Sequence, residues 1–492
     1  MTTGLCAVIE RFFSQLQRFT MAVSFGTVLV AVIAVTAAII YRQFTEIPCQ
    51  ENEEIRLKGF FSSFDESRQA NIPIPLCQVF SDDYEQAKRR FLQALEGLNH
   101  EIYSIPVAGE TYTMDIAVLP GTPDNTGLVV HTSGVHGIEG YAGSAIQLAF
   151  LRALAEDKDA DSSSSSRPTV ILVHAFNPYG MAHYRRVNEN NVDLNRNALR
   201  PDDWKRAELH PNKENYDRFN HAFNPTKAPT WFYGYVQYWL ESLPLIAIHG
   251  LPTLKAALVV GQHHRPTSVF FNGQKVEASI VKLEDWLTGY FQSRPNKFAG
   301  VTWIDVHTGL GAFGEDTILP AGFTSEDTLE HLRQQLEQWY PDSHHPASSK
   351  VGATVSKGYE GVKFVADYFS TLFDEDQEPL LTMQEFGTLH NILVARALVM
   401  ENAAYHHASD PSQALEWAKR VLRPAFCPSY PQWRRAIVQR GVAVLYQSMK
   451  RSLHYSSSSS SSSFSDHPSV LSDQETNAEM SHGTAEEGSS DH

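Results

Sequence analysis

Cysteine is scarce, with four in 492 residues. Cys6, Cys49, Cys77 and Cys427 follow no metal-type spacing and suggest no disulfide framework. No Asn-x-Ser/Thr glycosylation signal occurs, so the sequence offers no support of that kind for a lumenal position. No basic patch or stripe is present, and nucleic acid is therefore not an expected partner. Internal repeats are absent as well. Basic residues stop at Arg451, while seven acids follow it (Asp466, Asp473, Glu475, Glu479, Glu486, Glu487 and Asp491). Much of the net charge of −16 thus sits in a tail, and the rest of the chain is only mildly acidic. With 42% hydrophobic and 20% charged residues, that remainder has ample material for a core.

One long uncharged run stands out. Residues 21–41 contain no Asp, Glu, Lys or Arg, and a helix of that length spans about 30 Å, the thickness of a bilayer core. The expectation is a single N-terminal transmembrane anchor, with a cleaved signal peptide as the alternative. Basic residues on both sides (Arg11 and Arg18 before; Arg42, Arg56 and Lys58 after) leave the orientation undecided by charge. A single N-terminal anchor of this kind leads us to expect a membrane protein with a lumenal or extracellular catalytic domain. Polar low-complexity runs mark further boundaries: a loop insertion at 161–166, and a Ser-rich acidic tail over 454–492 that reads as disordered. The expected organisation is an N-terminal tail at 1–20, the anchor at 21–41, a stem at 42–75, one domain at 76–453 and the tail.

Within that domain, short apolar runs at 128–131, 169–174, 302–306 and 380–384 read as buried strands. Helical patterns at 142–154, 329–339 and 392–404 separate them. Strands alternating with helices predict an α/β fold, with a mixed, largely parallel sheet and helices on both faces. Ligands in such folds bind beyond the carboxyl ends of the strands. Polar groups follow each predicted strand: His136 and Glu139 in "SGVHGIEGYAGS", then Asn177 and an arginine-containing segment, then His307, then Glu385. Two histidines and a glutamate supply three ligands, the usual number for a catalytic zinc that keeps one position open. Gly134, Gly137 and Gly140 give the first turn the freedom to bring His136 and Glu139 together.

These segments resemble the zinc metallocarboxypeptidase superfamily, the fold of carboxypeptidase A and of the aspartoacylase and succinylglutamate desuccinylase branch. The resemblance rests on "HGIEG", "NPYGMAHYRRVNENNVDLNRN", "DVHTGLG" and "LTMQEFGT", and covers most of 76–453. The wording, with "GQHHRPTSVFFNG" at 261–273, is closest to a poorly characterised branch usually labelled a domain of unknown function. The resemblance implies that His136, Glu139 and His307 hold one Zn2+ per domain and that Glu385 is the general base and acid. It implies that Arg186 or Arg185 steadies the oxyanion, and that Asn195 and Arg196 hold a substrate carboxylate. Asp305, two residues before His307, could orient that imidazole or cap the strand end. Asp193 could simply hold a turn. Tyr359 is a candidate for a tyrosine that closes over substrate.

The implied activity is cleavage of an amide next to a free carboxylate, either a C-terminal peptide bond or an N-acyl amino acid. The alternative is a catalytically inactive member that binds a carboxylate or peptide. Neither reading fixes an oligomeric state.

Overall fold

The computed structural model describes residues 47–50, 52–58, 71–109, 111–157, 166–209, 212–294, 296–321, 326–343 and 363–453. Strands β1 (Glu54–Lys58) and β2 (Asn71–Pro75) pair antiparallel as a separate two-stranded sheet. The main sheet has seven strands: β3 (Glu101–Val107), β4 (Tyr112–Leu119), β5 (Gly127–Ser133), β6 (Thr169–Val173), β7 (Ala299–Phe313), β8 (Asp316–Pro320) and β9 (Leu380–Gly387). Their spatial order is β3-β4-β6-β5-β7-β9-β8.

The fold is α/β, but the expectation of a largely parallel sheet is corrected. The pairs β6–β5, β5–β7 and β7–β9 are parallel, whereas β3–β4, β4–β6 and β9–β8 are antiparallel. The four strands legible as apolar runs form the parallel centre, because chain crossing back over a face returns in the same direction. The flanks were not legible. β3 joins β4 through a short turn that includes Gly109 at φ 77°, and a connection that short forces antiparallel pairing.

Strand alternation builds two cores. One face carries Ala117, Val129, Val170, Leu172, Ile304 and Val306 against the helices α1 (Tyr84–Ala94), α2 (Gly140–Glu156), α4 (Asn391–His407) and α5 (Pro431–Leu453). The other carries Ile116, Leu128, Val130, Ile171, Val173 and Trp303 against α3 (Ala278–Gln292) and the short helix Val365–Ser370. The spacing of two residues between inward side chains is what lets one sheet serve both layers. α1 starts at Asp83, whose carboxylate accepts the Gln86 N–H, and buries Tyr84, Ala87 and Phe91 along one stripe. α2 is buried almost throughout, packed on β5 and against both α1 and α5. Gly441 of α5 makes that approach possible, because a Cβ there would lie 2.4 Å from Ile146.

The expected spanning helix at 21–41 lies outside the described residues. Among the described residues no single helix is long and apolar enough to cross a membrane; one bent pair, Tyr233–His249 with Leu251–Val259, passes the test only jointly, with a 106° bend. The single-pass anchor, and the lumenal or extracellular placement that rested on it, are withdrawn. The N-terminal tail at 1–20, residues 161–165 of the loop insertion at 161–166, Tyr359 and the tail at 454–492 also lie outside the described residues. Within the stretch read as a stem, β1 and β2 bury Ile55, Leu57, Ile72 and Ile74 in the same core as α2 and α5.

A second correction concerns cysteine. Cys49, before β1, and Cys77, after β2, form a disulfide across a separation of 28 residues and join the two ends of the β1–β2 segment. The pairing escaped the sequence because nothing in the spacing of four cysteines selects two of them. Cross-linking a loop of this length stabilises a chain by about 3–4 kcal/mol through the unfolded state. The double variant Cys49→Ala/Cys77→Ala is expected to melt several degrees lower in a calorimetric scan, and reduction of the wild-type protein to reproduce that loss. Equal melting temperatures would show that the hairpin is held by apolar burial alone.

Candidate metal centre

The site forms just beyond the end of β5, beside His307 within β7 and Glu385 near the end of β9. β5 gives way at Gly134, which adopts φ 74°, a region open to glycine at little cost. The chain then enters a single turn, Gly137–Glu139, with His136 just before it. Gly137 lies so close to the 180–181 backbone that a Cβ would come within 2.1 Å of the Gly180 carbonyl carbon. This close approach lets the Gly137 and Ile138 N–H groups donate to the carbonyls of Arg186 and Arg185 at 3.1 and 2.8 Å. The turn carrying His136 and Glu139 is thus fastened to the segment that carries both arginines.

His136, Glu139 and His307 are each buried, and one ligand atom from each lies within 4.8 Å of the others. The Nδ1 atoms of both histidines face the carboxylate: His136 Nδ1 is 2.9 Å from Glu139 Oε1, and His307 Nδ1 is 3.1 Å from Oε2. The opposite ring nitrogens are held by carboxylates. His136 Nε2 meets Asp193 Oδ1 at 3.0 Å, and His307 Nε2 meets Asp305 Oδ2 at 2.7 Å. Thr132 donates to Asp305 Oδ1 at 2.6 Å, and the Thr308 N–H donates to Glu139 Oε2 at 2.9 Å. Carboxylates behind two imidazoles fix their rotation and make them better donors to a metal. Two imidazole nitrogens and a carboxylate oxygen, buried and convergent, suit a zinc ion with one position left open.

Electrostatics agree with a site built for a cation. Burial alone would raise the Glu139 carboxyl, but His136 and His307 outweigh it and hold it below the ordinary carboxylate range. Burial alone would lower His307, yet Asp305 and then Glu139 carry it up to about 10. Without a metal, two carboxylates retain a proton on His307; a bound metal takes that proton's place.

The two arginines, adjacent in sequence, part company here. Arg186 turns to the triad, donating to Glu139 Oε1 from Nη1 and to Asp193 Oδ2 from Nε, each at 3.1 Å. Its guanidinium also stands 5.0 Å from the Phe270 ring. Arg185 turns away and is fully buried. Its Nε donates to Glu401 Oε1 of α4 at 2.6 Å, and its guanidinium lies 3.4 Å from the Tyr405 ring centre. That leaves Arg185 outside the group around the triad.

Glu385 is the register partner of His307 on the neighbouring parallel strand, so both side chains leave the same face of the sheet. Its Oε1 accepts the Leu310 N–H at 2.8 Å. Burial, followed by the negative charge of Glu139, pushes Glu385 up to about 7 against the opposing pull of His307 and Arg186. Asn195 and Arg196 lie in the short helix Leu194–Asn197, directly after Asp193. Asn195 Oδ1 accepts the Val365 N–H at 2.9 Å, and Arg196 Nε donates to the Val259 carbonyl at 3.0 Å. Among the remaining histidines, His131 and His174 are core residues that burial lowers to about 4, and neither joins the triad.

Asp193 is the residue whose part at the site was not read from the sequence. It holds His136 and Arg186 together, but it stands 57 positions from His136, and no spacing rule connects the two. Glu401, the partner of Arg185, was missed for the same reason, with 216 positions between them.

A family model described as "Protein of unknown function (DUF2817)" matches residues 80–440. The chain belongs to that family. No curated protein matches it. Solved structures that match include bovine thrombin-activatable fibrinolysis inhibitor in complex with tick carboxypeptidase inhibitor, at 12% identity and a TM-score of 0.42, over 76% of this chain and 98% of that one. A metallo-carboxypeptidase from Burkholderia cenocepacia matches at 12% identity and a TM-score of 0.36, over 74% and 69%. One from Pseudomonas aeruginosa matches at 13% and 0.32, over 69% and 67%. Domain and cluster are consistent with a zinc-carboxypeptidase-like superfamily member. At such TM-scores the structural likenesses decide nothing further, and the weight falls on the residues at the sheet rim.

Because metal binding must displace the proton on His307, zinc uptake should release protons, and affinity should weaken as pH falls below about 10. Titration calorimetry in buffers of different ionisation enthalpy reads this directly. Asp305→Asn and Asp193→Asn are each expected to lower zinc affinity by roughly 10–100-fold while the fold persists. Zinc binding with no proton release, and with wild-type affinity in both variants, would contradict the assignment of these carboxylates.

Proposed function

We propose that the protein is a zinc-dependent hydrolase that cleaves an amide bond next to a free carboxylate, either a C-terminal peptide bond or an N-acyl amino acid. The observation that carries this reading is the placement of Glu385 at the register position of His307, beside a buried His/Glu/His cluster. His136, Glu139 and His307 would hold the ion, which when bound supplies Lewis-acid polarisation of a carbonyl and lowers the pKa of water towards about 7.

The chain's own groups do the rest. Glu385 is poised near neutrality to take a proton from the attacking water and to return it to the leaving amine. Arg186 sets a cation beside the position where negative charge develops, held by Glu139 and Asp193 so that it need not reorganise during reaction. Arg196, with Asn195, binds the substrate carboxylate; a guanidinium can grip it through two parallel hydrogen bonds, which an ammonium cannot. Arg185 has no part in catalysis. Its ion pair with Glu401 and its carbonyl bond to the Ile138 N–H keep the metal-binding turn in place.

The test is Glu385→Gln, which keeps size and hydrogen-bonding reach but removes the basic carboxylate. Zinc content and melting temperature should match the wild type, while single-turnover hydrolysis falls by a factor on the order of 10²–10⁴. A zinc-loaded Glu385→Gln protein working at the wild-type rate would refute the mechanism. A wild-type protein that binds zinc and N-acyl amino acids without turning any over would leave a binding protein instead. Substrate charge gives a second check: amidating the free carboxylate should weaken binding strongly, and Arg196→Lys should fail to restore tight binding of the free acid. Equal turnover of acid and amide would remove Arg196 from the site.

A further inference from the structure

β7 does not stop at His307. It runs on to Phe313, and its pairing with β9 slips on the way: Gly309 and Phe313 both stand opposite Gly387. Residues 310–312 are thus looped out of the ladder as a bulge. Bulges gather next to working sites, where they re-aim a group that a regular strand would point elsewhere. Leu310 is half-buried here, while Gly311 and Ala312 are exposed.

Two glycines make the bulge possible. Gly309 takes φ 143°, which side chains rarely adopt, and a Cβ there would stand 3.2 Å from the Phe426 ring and 3.7 Å from Glu385 Oε1. Gly387, opposite, has no room for a side chain, because a Cβ would lie 1.9 Å from the Ala312 carbonyl oxygen. The bulge is also tied on both sides. Before it, the Thr308 hydroxyl donates to the Phe426 carbonyl at 2.6 Å, and the Thr388 hydroxyl donates to the Gly309 carbonyl at 3.1 Å. After it, the Glu315 N–H donates to the Ala312 carbonyl and the Gly314 N–H to the Gly387 carbonyl, each at 3.0 Å. Trp433 of α5 adds its indole N–H to that same Gly387 carbonyl at 2.9 Å.

Fixed in this way, the Leu310 N–H donates to Glu385 Oε1 at 2.8 Å. The terminal torsion of a glutamate is broad, so rotamer preference does not settle where its two oxygens lie. A donor on tied backbone does settle it.

We infer that the 310–312 bulge is a positioning device for Glu385: its Leu310 N–H holds Oε1 and so leaves Oε2 to exchange the proton. Gly309 and Gly387 shape the bulge, and all three act through Glu385. The consequence for rate rests on the hydrolase reading above; the contact rests on the bulge itself.

The test uses the full-length, zinc-loaded protein. A backbone ester at position 310, made with the α-hydroxy analogue of leucine, replaces the N–H by an oxygen and keeps every side chain. With N-acyl amino acids or dipeptides as substrate, kcat should fall by about 10–100-fold while KM stays within about threefold. In the Glu385→Gln background the same ester should cost less than about twofold, because the group it positions has already lost its basicity. Gly309→Ala should show the same split between backgrounds. An equal loss in both backgrounds, which a merely structural bulge would give, overturns the inference, as does the absence of any loss in the wild-type background. Amide exchange resolved to single residues reads the contact without turnover. Glu385→Ala should speed exchange at Leu310 by about tenfold or more, while the Gly314 and Gly387 amides stay protected. Unchanged exchange at Leu310 overturns the inference whether or not a substrate is cleaved. A wild-type protein that hydrolyses nothing removes the hydrolase reading alone, and the exchange measurement then decides the positioning.

Discussion

Three buried polar groups, two imidazoles and a carboxylate, must be kept facing one point, and much of the rest of the structure serves that constraint. Desolvating such groups is costly unless each has partners. Here Glu139 takes the Thr308 N–H and Arg186, His136 leans on Asp193, and His307 leans on Asp305, which Thr132 steadies in turn. Removing any one of these leaves a buried charge or donor exposed to the penalty. The arrangement is therefore bound together more strongly than its separate contacts suggest.

The sheet supplies the rigidity. β7 carries both Asp305 and His307, two residues apart and so on one face, while β9 sets Glu385 at the same register. A slip of one residue in β9 would turn Glu385 to the opposite face. The parallel centre of the sheet brings His307 and Glu385 alongside the turn that follows β5. The antiparallel flanks cover the edges of that centre and leave this arrangement unchanged.

Arg185 and Arg186 show how sharply adjacent residues can be assigned to different tasks. Both emerge from a segment whose carbonyls hold the Gly137 and Ile138 N–H groups, so the backbone serves the metal-binding turn from both positions. Their side chains then diverge, one into the α4 layer against Glu401 and Tyr405, the other to Glu139 and Asp193. Phe270, in an unfavourable backbone conformation, backs the second of these.

The sequence by itself determined what local pattern can encode. Apolar runs located the four central strands and several helices. The glycine-bracketed His136 and Glu139, with His307 and Glu385 after apolar runs, marked the groups able to carry metal chemistry, although β7 and β9 continue past both residues. Asp305 was legible as one of two readings, because two residues along a strand share a face; its contact with His307 decides between them. Tertiary structure alone decided the rest. The antiparallel flanks depend on turn geometry, and the Cys49–Cys77 pairing on the pairing of β1 with β2 between them. The choice between Arg185 and Arg186 depends on which partner waits in which direction. The coupling of Asp193 to His136, and of Glu401 to Arg185, spans 57 and 216 positions, and such contacts exist only once the chain has closed on itself. Periodicity reports which face a residue occupies; it carries no information about what the fold will bring to that face.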